Sequence, residues 1–265
     1  MRLQTPKTPS SKHLRTTDLA RMVGIHPNTV RRYEEWGLIP PVERGRNGYR
    51  IYTQKHVDCL RVARVIFAGD YAGRVIRLAA MRVIHFCVAD DWGGALEAAY
   101  QHQAAIQSEK AQALAAVNLL EHWARGKTAD TTARYLRIAD TARLLGLSCD
   151  KLRNWERNGL VAIPRQPENG YRLYGPEEIS RLRVIRMLIQ AGYSLMAILR
   201  MLTLLDRGEL RDARQALDTP NPDEDVYMAA DHWLSTLAAE EQRSRNLIEL
   251  LESIITARNQ VTAAR

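Results

Sequence analysis

Apolar residues recur at helical spacing over residues 16–23, where Leu19, Ala20 and Val23 share one side and Gly24 stops the run. Thr16 and Thr17 offer an N-cap. Pro27 suits the first turn of a second helix, 27–36, with Val30 and Tyr33 inward and Gly37 at its end. Two short helices joined around Gly24-Ile25 predict a helix-turn-helix. Leu38–Pro41 and Tyr49–Tyr52 read as short strands, with Glu43–Gly48 and its Asn-Gly step as the turn, which predicts a wing. Residues 54–68 and 72–87 carry a third and a fourth helix. After a break at Asp90–Gly94, Ala95–Arg125 runs without Pro or Gly and predicts a long helix. Its apolar positions are Leu96, Tyr100, Ile106, Leu114, Val117 and Leu120.

The pattern then starts again. Asn47-Gly-Tyr-Arg-Ile-Tyr52 returns as Asn169-Gly-Tyr-Arg-Leu-Tyr174, a shift of 169 − 47 = 122. Without a gap, roughly twenty of about fifty-eight paired positions are identical, which makes the chain one unit used twice. In the second copy Ser148 caps a helix at 149–158, and the wing is Leu160–Pro164 with Tyr171–Tyr174. Pro176-Glu177-Glu178 opens the next helix, and Leu195–Leu205 forms another. Asp218–Asp225 is loop, and a helix of 226–258 closes the pattern.

The expected organisation is a flexible tail, 1–13; a first head with its helix pair, 14–87; and a first long helix, 92–125. A linker follows, 126–132, then a second head, 133–206, and a short helix and loop, 207–225. The second long helix, 226–258, and a tail, 259–265, complete it. The chain of 265 residues has room for about two domains of this kind.

Charge adds a partner class. Residues 14–85 hold 13 Lys and Arg against 6 Asp and Glu, whereas residues 206–265 hold 7 against 12. A basic surplus concentrated on one module suits a polyanion such as nucleic acid. Cys59, Cys87 and Cys149 are far apart in sequence and show no zinc spacing, so no metal or other cofactor is expected. An odd count of cysteines without a signal-peptide core points to reduced thiols in the cytoplasm. No apolar run reaches membrane-spanning length, so no membrane partner is expected. No nucleophile–base set or phosphate loop is present, so no enzyme activity is expected.

Four motifs stand out in the first copy: Asp18-Leu-Ala-Arg-x-x-Gly24, Thr29-Val-Arg-Arg-Tyr-Glu34, Gly37-Leu38-Ile-Pro40 and Asn47-Gly-Tyr-Arg-x-Tyr52. Their second-copy counterparts are Asp140-Thr-Ala-Arg-x-x-Gly146, Lys151-Leu-Arg-Asn-Trp-Glu156, Gly159-Leu160 and Asn169-Gly-Tyr-Arg-x-Tyr174. On these residues the repeated unit resembles the MerR family of bacterial transcription regulators. The resemblance implies a mainly α fold: two winged helix-turn-helix heads, each followed by a helix pair and a long antiparallel coiled-coil-type helix. It implies a double-stranded DNA-binding transcription regulator that bends or untwists promoter DNA and meets RNA polymerase there. It also implies a cytoplasmic, nucleoid-associated location. Family members are homodimers with one head per chain. Two heads and two long helices in one chain instead suggest a monomeric pseudo-dimer, with a homodimer as the competing assembly. The rival function is an architectural DNA binder that does not remodel promoters.

The resemblance also nominates contacts. On the second helix of the first head these are Thr29, Arg31, Arg32 and Tyr33, answered in the second head by Lys151, Arg153, Asn154 and Trp155. Arg can grip guanine or phosphate with its planar fork. In the wings they are Arg44, Arg46, Tyr49, Arg50 and Tyr52, then Arg165, Tyr171, Arg172 and Tyr174. One tyrosine of each wing pair is expected to pack on its head. Arg15 and Arg137 are candidates beside the first helices. Asn154 in place of Arg32 and Lys151 in place of Thr29 predict heads that read unlike sequences.

Overall fold

The computed structural model describes residues 14–69, 73–125, 135–219 and 232–263. The expected tail 1–13 and linker 126–132 lie outside these residues, as do the later part of the 207–225 segment and the start of the helix expected from 226. Eleven helices and two short strands are described. In the first copy they are α1 (Thr16–Val23), α2 (Pro27–Glu35), β1 (Glu43–Arg44), β2 (Arg50–Ile51), α3 (Gln54–Ile66), α4 (Gly73–Val88) and α5 (Trp92–Ala124). The second gives α6 (Ile138–Leu145), α7 (Cys149–Arg157), α8 (Pro176–Gln190), α9 (Leu195–Asp206), α10 (Ala213–Asp218) and α11 (Trp233–Ala263). The fold is mainly α, and among the described residues no helix is long and apolar enough to cross a membrane.

Several boundaries moved, each for a local reason. The cap of α1 is Arg15 rather than a threonine: its backbone N–H donates to Asp18 Oδ2 at 3.1 Å. Strand β1 lies at 43–44, not 38–41, because Leu38, Ile39 and Pro40 are buried in the head and Pro40-Pro41 supplies no ladder N–H. The pairing is Glu43 with Ile51 and Arg44 with Arg50. In the second wing Pro164 and Pro167 interrupt the pattern. There only isolated bridges remain, Arg165 to Arg172 and Leu136 to Tyr174, in place of the expected strands. Residues 259–263, expected as tail, continue α11.

The chain divides into two compact units that are not its serial halves. One is Met1–Ile106 with Ala239–Arg265, and the other is Gln107–Ala238. Helices α5 and α11 contribute to both.

In the first unit Leu19, Val23, Val30, Tyr52 and Leu60 of the head share one core with Ala95, Ala98 and Ala99 of α5 and Leu247, Leu251 and Ile254 of α11. The packed face of α5 is thus alanine-rich. Tyr100, expected inward, is 48% exposed, and its hydroxyl donates to Glu252 Oε1. Small side chains let the α11 leucines approach the α5 backbone, which explains why periodicity of large apolar residues missed this face. Arg258 contacts the Trp92 ring at 5.0 Å and Asp90 at 2.8 Å. With Tyr100 opposite Glu252, these contacts make the two helices run in opposite directions within the unit.

In the second unit Leu152, Trp155, Leu160, Tyr174, Ile179, Leu182 and Met201 are buried, together with Ala113, Val117 and Leu120 of α5. Tyr193 donates its hydroxyl hydrogen to Ala113 O at 3.3 Å, and Trp123 Nε1 donates to Ser180 Oγ at 2.7 Å. Trp233 Nε1 donates to Ala191 O at 2.8 Å, fixing the start of α11 on the turn after α8.

Candidate nucleic-acid interface

Each head is built from the turn outward. Gly24 ends α1 at φ 69°, a left-handed conformation that glycine adopts without a Cβ penalty. A Cβ there would also strike Arg64, whose Nη1 donates to the Val23 carbonyl. Gly146 repeats the conformation, with Arg186 nearest to it. Arg64 of α3 thus holds the end of the first helix, and Arg186 of α8 lies at the equivalent place beside Gly146. Their role was not read from the sequence, although both are Arg at the 122 shift.

The second helix is presented with a polar outer side. His26 caps α2 by accepting the Asn28 N–H at Nδ1, and Ser148 caps α7 by accepting the Lys151 N–H. Val30 and Leu152 are buried, which turns Arg31, Arg32, Lys151 and Arg153 outward, all exposed. Arg31 Nη1 donates to Asn28 Oδ1 at 3.1 Å, and Arg153 Nη1 to Asp150 Oδ1 at 2.8 Å. Arg32 lies over the Trp36 ring at 4.6 Å. Asn154 accepts from Asn158 Nδ2 at Oδ1. Thr29 and Tyr33 are half-buried.

The wing is tied to that helix by one carboxylate. Arg50 Nε donates to Glu34 Oε2 at 2.7 Å, and in the second head Arg172 Nε donates to Glu156 Oε2 at 2.6 Å. Arg165 Nη2 adds a second donor to Glu156, at 3.2 Å. Glu34 and Glu156 were therefore missed as site residues. The available signal was their identity at the 122 shift, each sixteen residues before its wing arginine.

The tyrosines separate cleanly. Tyr52 and Tyr174 are fully buried beneath the wing, and their hydroxyl pKa values are raised chiefly by that burial. They are removed from the contact set, as is Trp155, which is 4% exposed. Tyr49 and Tyr171 are 65% and 59% exposed. Arg15 reaches over the Tyr49 ring at 5.9 Å, and Arg137 over Tyr171 at 5.6 Å. Arg44 Nη1 spans the wing turn to Gly48 O at 3.2 Å, and Arg46 is exposed at its tip. Each head thus brings together a first-helix arginine, a wing tyrosine, a wing arginine and a second-helix arginine.

The cysteines are not all isolated. Cys59 of α3 and Cys87 of α4 are buried neighbours, with Cys59 Sγ donating to Cys87 O at 3.3 Å. Burial pushes the Cys59 thiol up to about 12 and the Cys87 thiol up as well. Among the described residues no group of three or more His, Cys, Asp and Glu is placed to hold a metal.

The family model described as MerR HTH family regulatory protein matches residues 14–78 and 136–205, more than half of the chain. The mercuric resistance operon regulatory protein of Bacillus cereus is 33% identical over 75 residues, 28% of this chain and 57% of that one. The HTH-type transcriptional regulator CueR of Salmonella typhimurium is 43% identical over 66 residues, 23% of this chain and 48% of its own. A probable heavy metal-dependent transcriptional regulator of Haemophilus influenzae is 37% identical over 71 residues, 27% of this chain and 56% of that one. The chain spans about half the length of the curated relatives it matches. No solved structure matches at a comparable level of significance. With both of its head segments matched, the chain belongs to the MerR HTH family of regulatory proteins.

Proposed function

We propose that the chain is a sequence-specific, double-stranded DNA-binding transcription regulator whose two unlike heads act as a pseudo-dimer within one chain. The carrying observation is the duplicated constellation: exposed Arg31 and Arg153 on the second helices, and wing arginines Arg50 and Arg172 tied to Glu34 and Glu156. Exposed helix arginines suit base edges, while wing arginines held at fixed angles suit phosphates. The relatives, a mercuric resistance operon regulatory protein and the transcriptional regulator CueR, support the same reading. Remodelling of promoter DNA and contact with RNA polymerase follow from the family resemblance.

The pseudo-dimer is supported by the first unit, where the long helix that follows the second head packs on the first head. An ordinary homodimer would take that helix from a second chain. Supplied within the chain, it has a high effective concentration and needs no partner. The heads differ at Arg32 against Asn154 and Thr29 against Lys151, so the half-sites they read differ as well. Selection of bound fragments from random duplex DNA tests the reading. Enrichment of one site with two unlike halves is expected, and failure to enrich any site would refute it.

A further inference from the structure

The two heads differ in how one residue of the second helix is held. In the first head Arg32 Cζ lies 4.6 Å from the centre of the Trp36 ring, one helical turn further on. Trp36 is 58% exposed, yet its ring has a fixed neighbour. It stacks on Tyr33 at 6.2 Å, and Tyr33 meets Phe67, at the end of α3, edge-on at 5.9 Å. The guanidinium is the outer end of a file of three aromatic rings.

At the 122 shift Arg32 and Trp36 become Asn154 and Asn158, while Phe67 becomes Ile189. Asn158 Nδ2 donates to Asn154 Oδ1 at 3.1 Å and to Asn154 O at 2.8 Å. Asn154 is half-buried, whereas Arg32 is exposed. The two positions have changed together: a long cation stacked on a ring in one head, a short amide tied back to its own helix in the other. Contact with a ring holds a guanidinium without using up its N–H donors. An arginine ordered in advance loses less side-chain freedom when it binds.

We propose, on the DNA-binding reading above, that Trp36 is a positioning residue that acts through Arg32. It holds the guanidinium for the O6 and N7 acceptors of a guanine in the major groove. The second head makes no such demand, because Asn154 is shorter, half-buried and tied to Asn158. The Arg32–Trp36 pair thereby sets one base pair at which the two half-sites differ.

The test is selection from random duplex DNA with the full chain and its variants. Wild type is expected to enrich a site that demands guanine at one position of one half only. Trp36→Leu is expected to lower that preference about two- to five-fold, the size of an exposed cation–ring contact, and Trp36→Tyr to keep it. In an Arg32→Ala background Trp36→Leu is expected to add nothing, since the contact is already gone. Trp36 is exposed, so these changes leave the core of the head intact, and circular dichroism checks each variant. Unchanged preference in Trp36→Leu, equal loss in Trp36→Tyr, or an additive loss in the Arg32→Ala background would overturn the proposal. A site whose two halves demand guanine alike overturns it alone, whereas a wild type that enriches no site removes the DNA-binding reading and this proposal with it.

Discussion

Arg50 and Glu34 join the wing of the first head to its second helix through one hydrogen-bonded ion pair, 2.7 Å from Nε to Oε2. Both side chains are about four-fifths covered, at 24% and 20% exposed. The pair lies between an open surface bridge, which contributes little, and a fully buried one, which is costly to break. Its engaged atom is Nε. The same carboxylate therefore ties the wing to the second helix.

Glu34→Ala is expected to lower stability by about 1 kcal/mol and to weaken DNA binding, even though it makes the head more basic. Arg50→Ala and Arg172→Ala should weaken binding to all sequences alike, as positioning contacts do. Denaturant melts combined with affinities for several duplexes check this. Tighter binding by Glu34→Ala would mean that charge alone, not wing placement, governs affinity.

Arg31→Ala is expected to relax base preference as well as affinity, by roughly 1–3 kcal/mol for a lost base contact. In the free chain Asn28 holds the guanidinium, and DNA has to displace or share that bond. A binding-site selection on the variant decides the point. An unchanged preferred sequence would remove Arg31 from base reading.

Affinity for genomic fragments is expected to fall steeply between two salt concentrations, because several arginines release counterions from phosphate. The first head region carries a surplus of seven basic residues, 13 less 6. Salt-insensitive binding would contradict an interface made by these residues.

Native protein treated with iodoacetamide near pH 8 should lose one thiol, Cys149, which is half-exposed. Cys59 and Cys87 are buried with raised pKa values and stay protonated, hence unreactive, until the chain unfolds. Mass spectrometry counts the modified thiols before and after denaturation. Rapid labelling of Cys59 in the folded chain would show that the α3–α4 core opens readily.

Stability should fall in mild acid. Burial lowers the His102 and His56 pKa values below 6.5, so the unfolded chain binds these protons more readily than the folded one. Their contribution is complete above about 6.5 and is lost as pH drops below that value toward the folded pKa. Urea melts at pH 7.5 and 5.5 on wild type and His102→Leu should show a smaller pH dependence in the variant. An equal dependence would assign the effect to other groups.

Much of this fold was legible because the chain says the same thing twice. Val30 and Leu60 have core counterparts at a fixed shift in Leu152 and Leu182, and the glycines that end helices recur at Gly24 and Gly146. What escaped was of two kinds. The alanine face of α5 carries little hydrophobic signal, because its packing rests on close approach rather than on large side chains. The Glu34–Arg50 tie and the Cys59–Cys87 contact depend on tertiary placement, which spacing along one chain does not encode. Trp155 was misread as a contact because it replaces half-buried Tyr33 at a position where the second head is packed more tightly.

The central claim is that one chain supplies both unlike heads to one DNA site. Sedimentation equilibrium of the full chain with its selected duplex, together with footprinting, tests it most directly. One chain per duplex, protecting two unlike half-sites about one helical turn apart, roughly 34–36 Å, is the predicted result. Two chains on a symmetric site would contradict it.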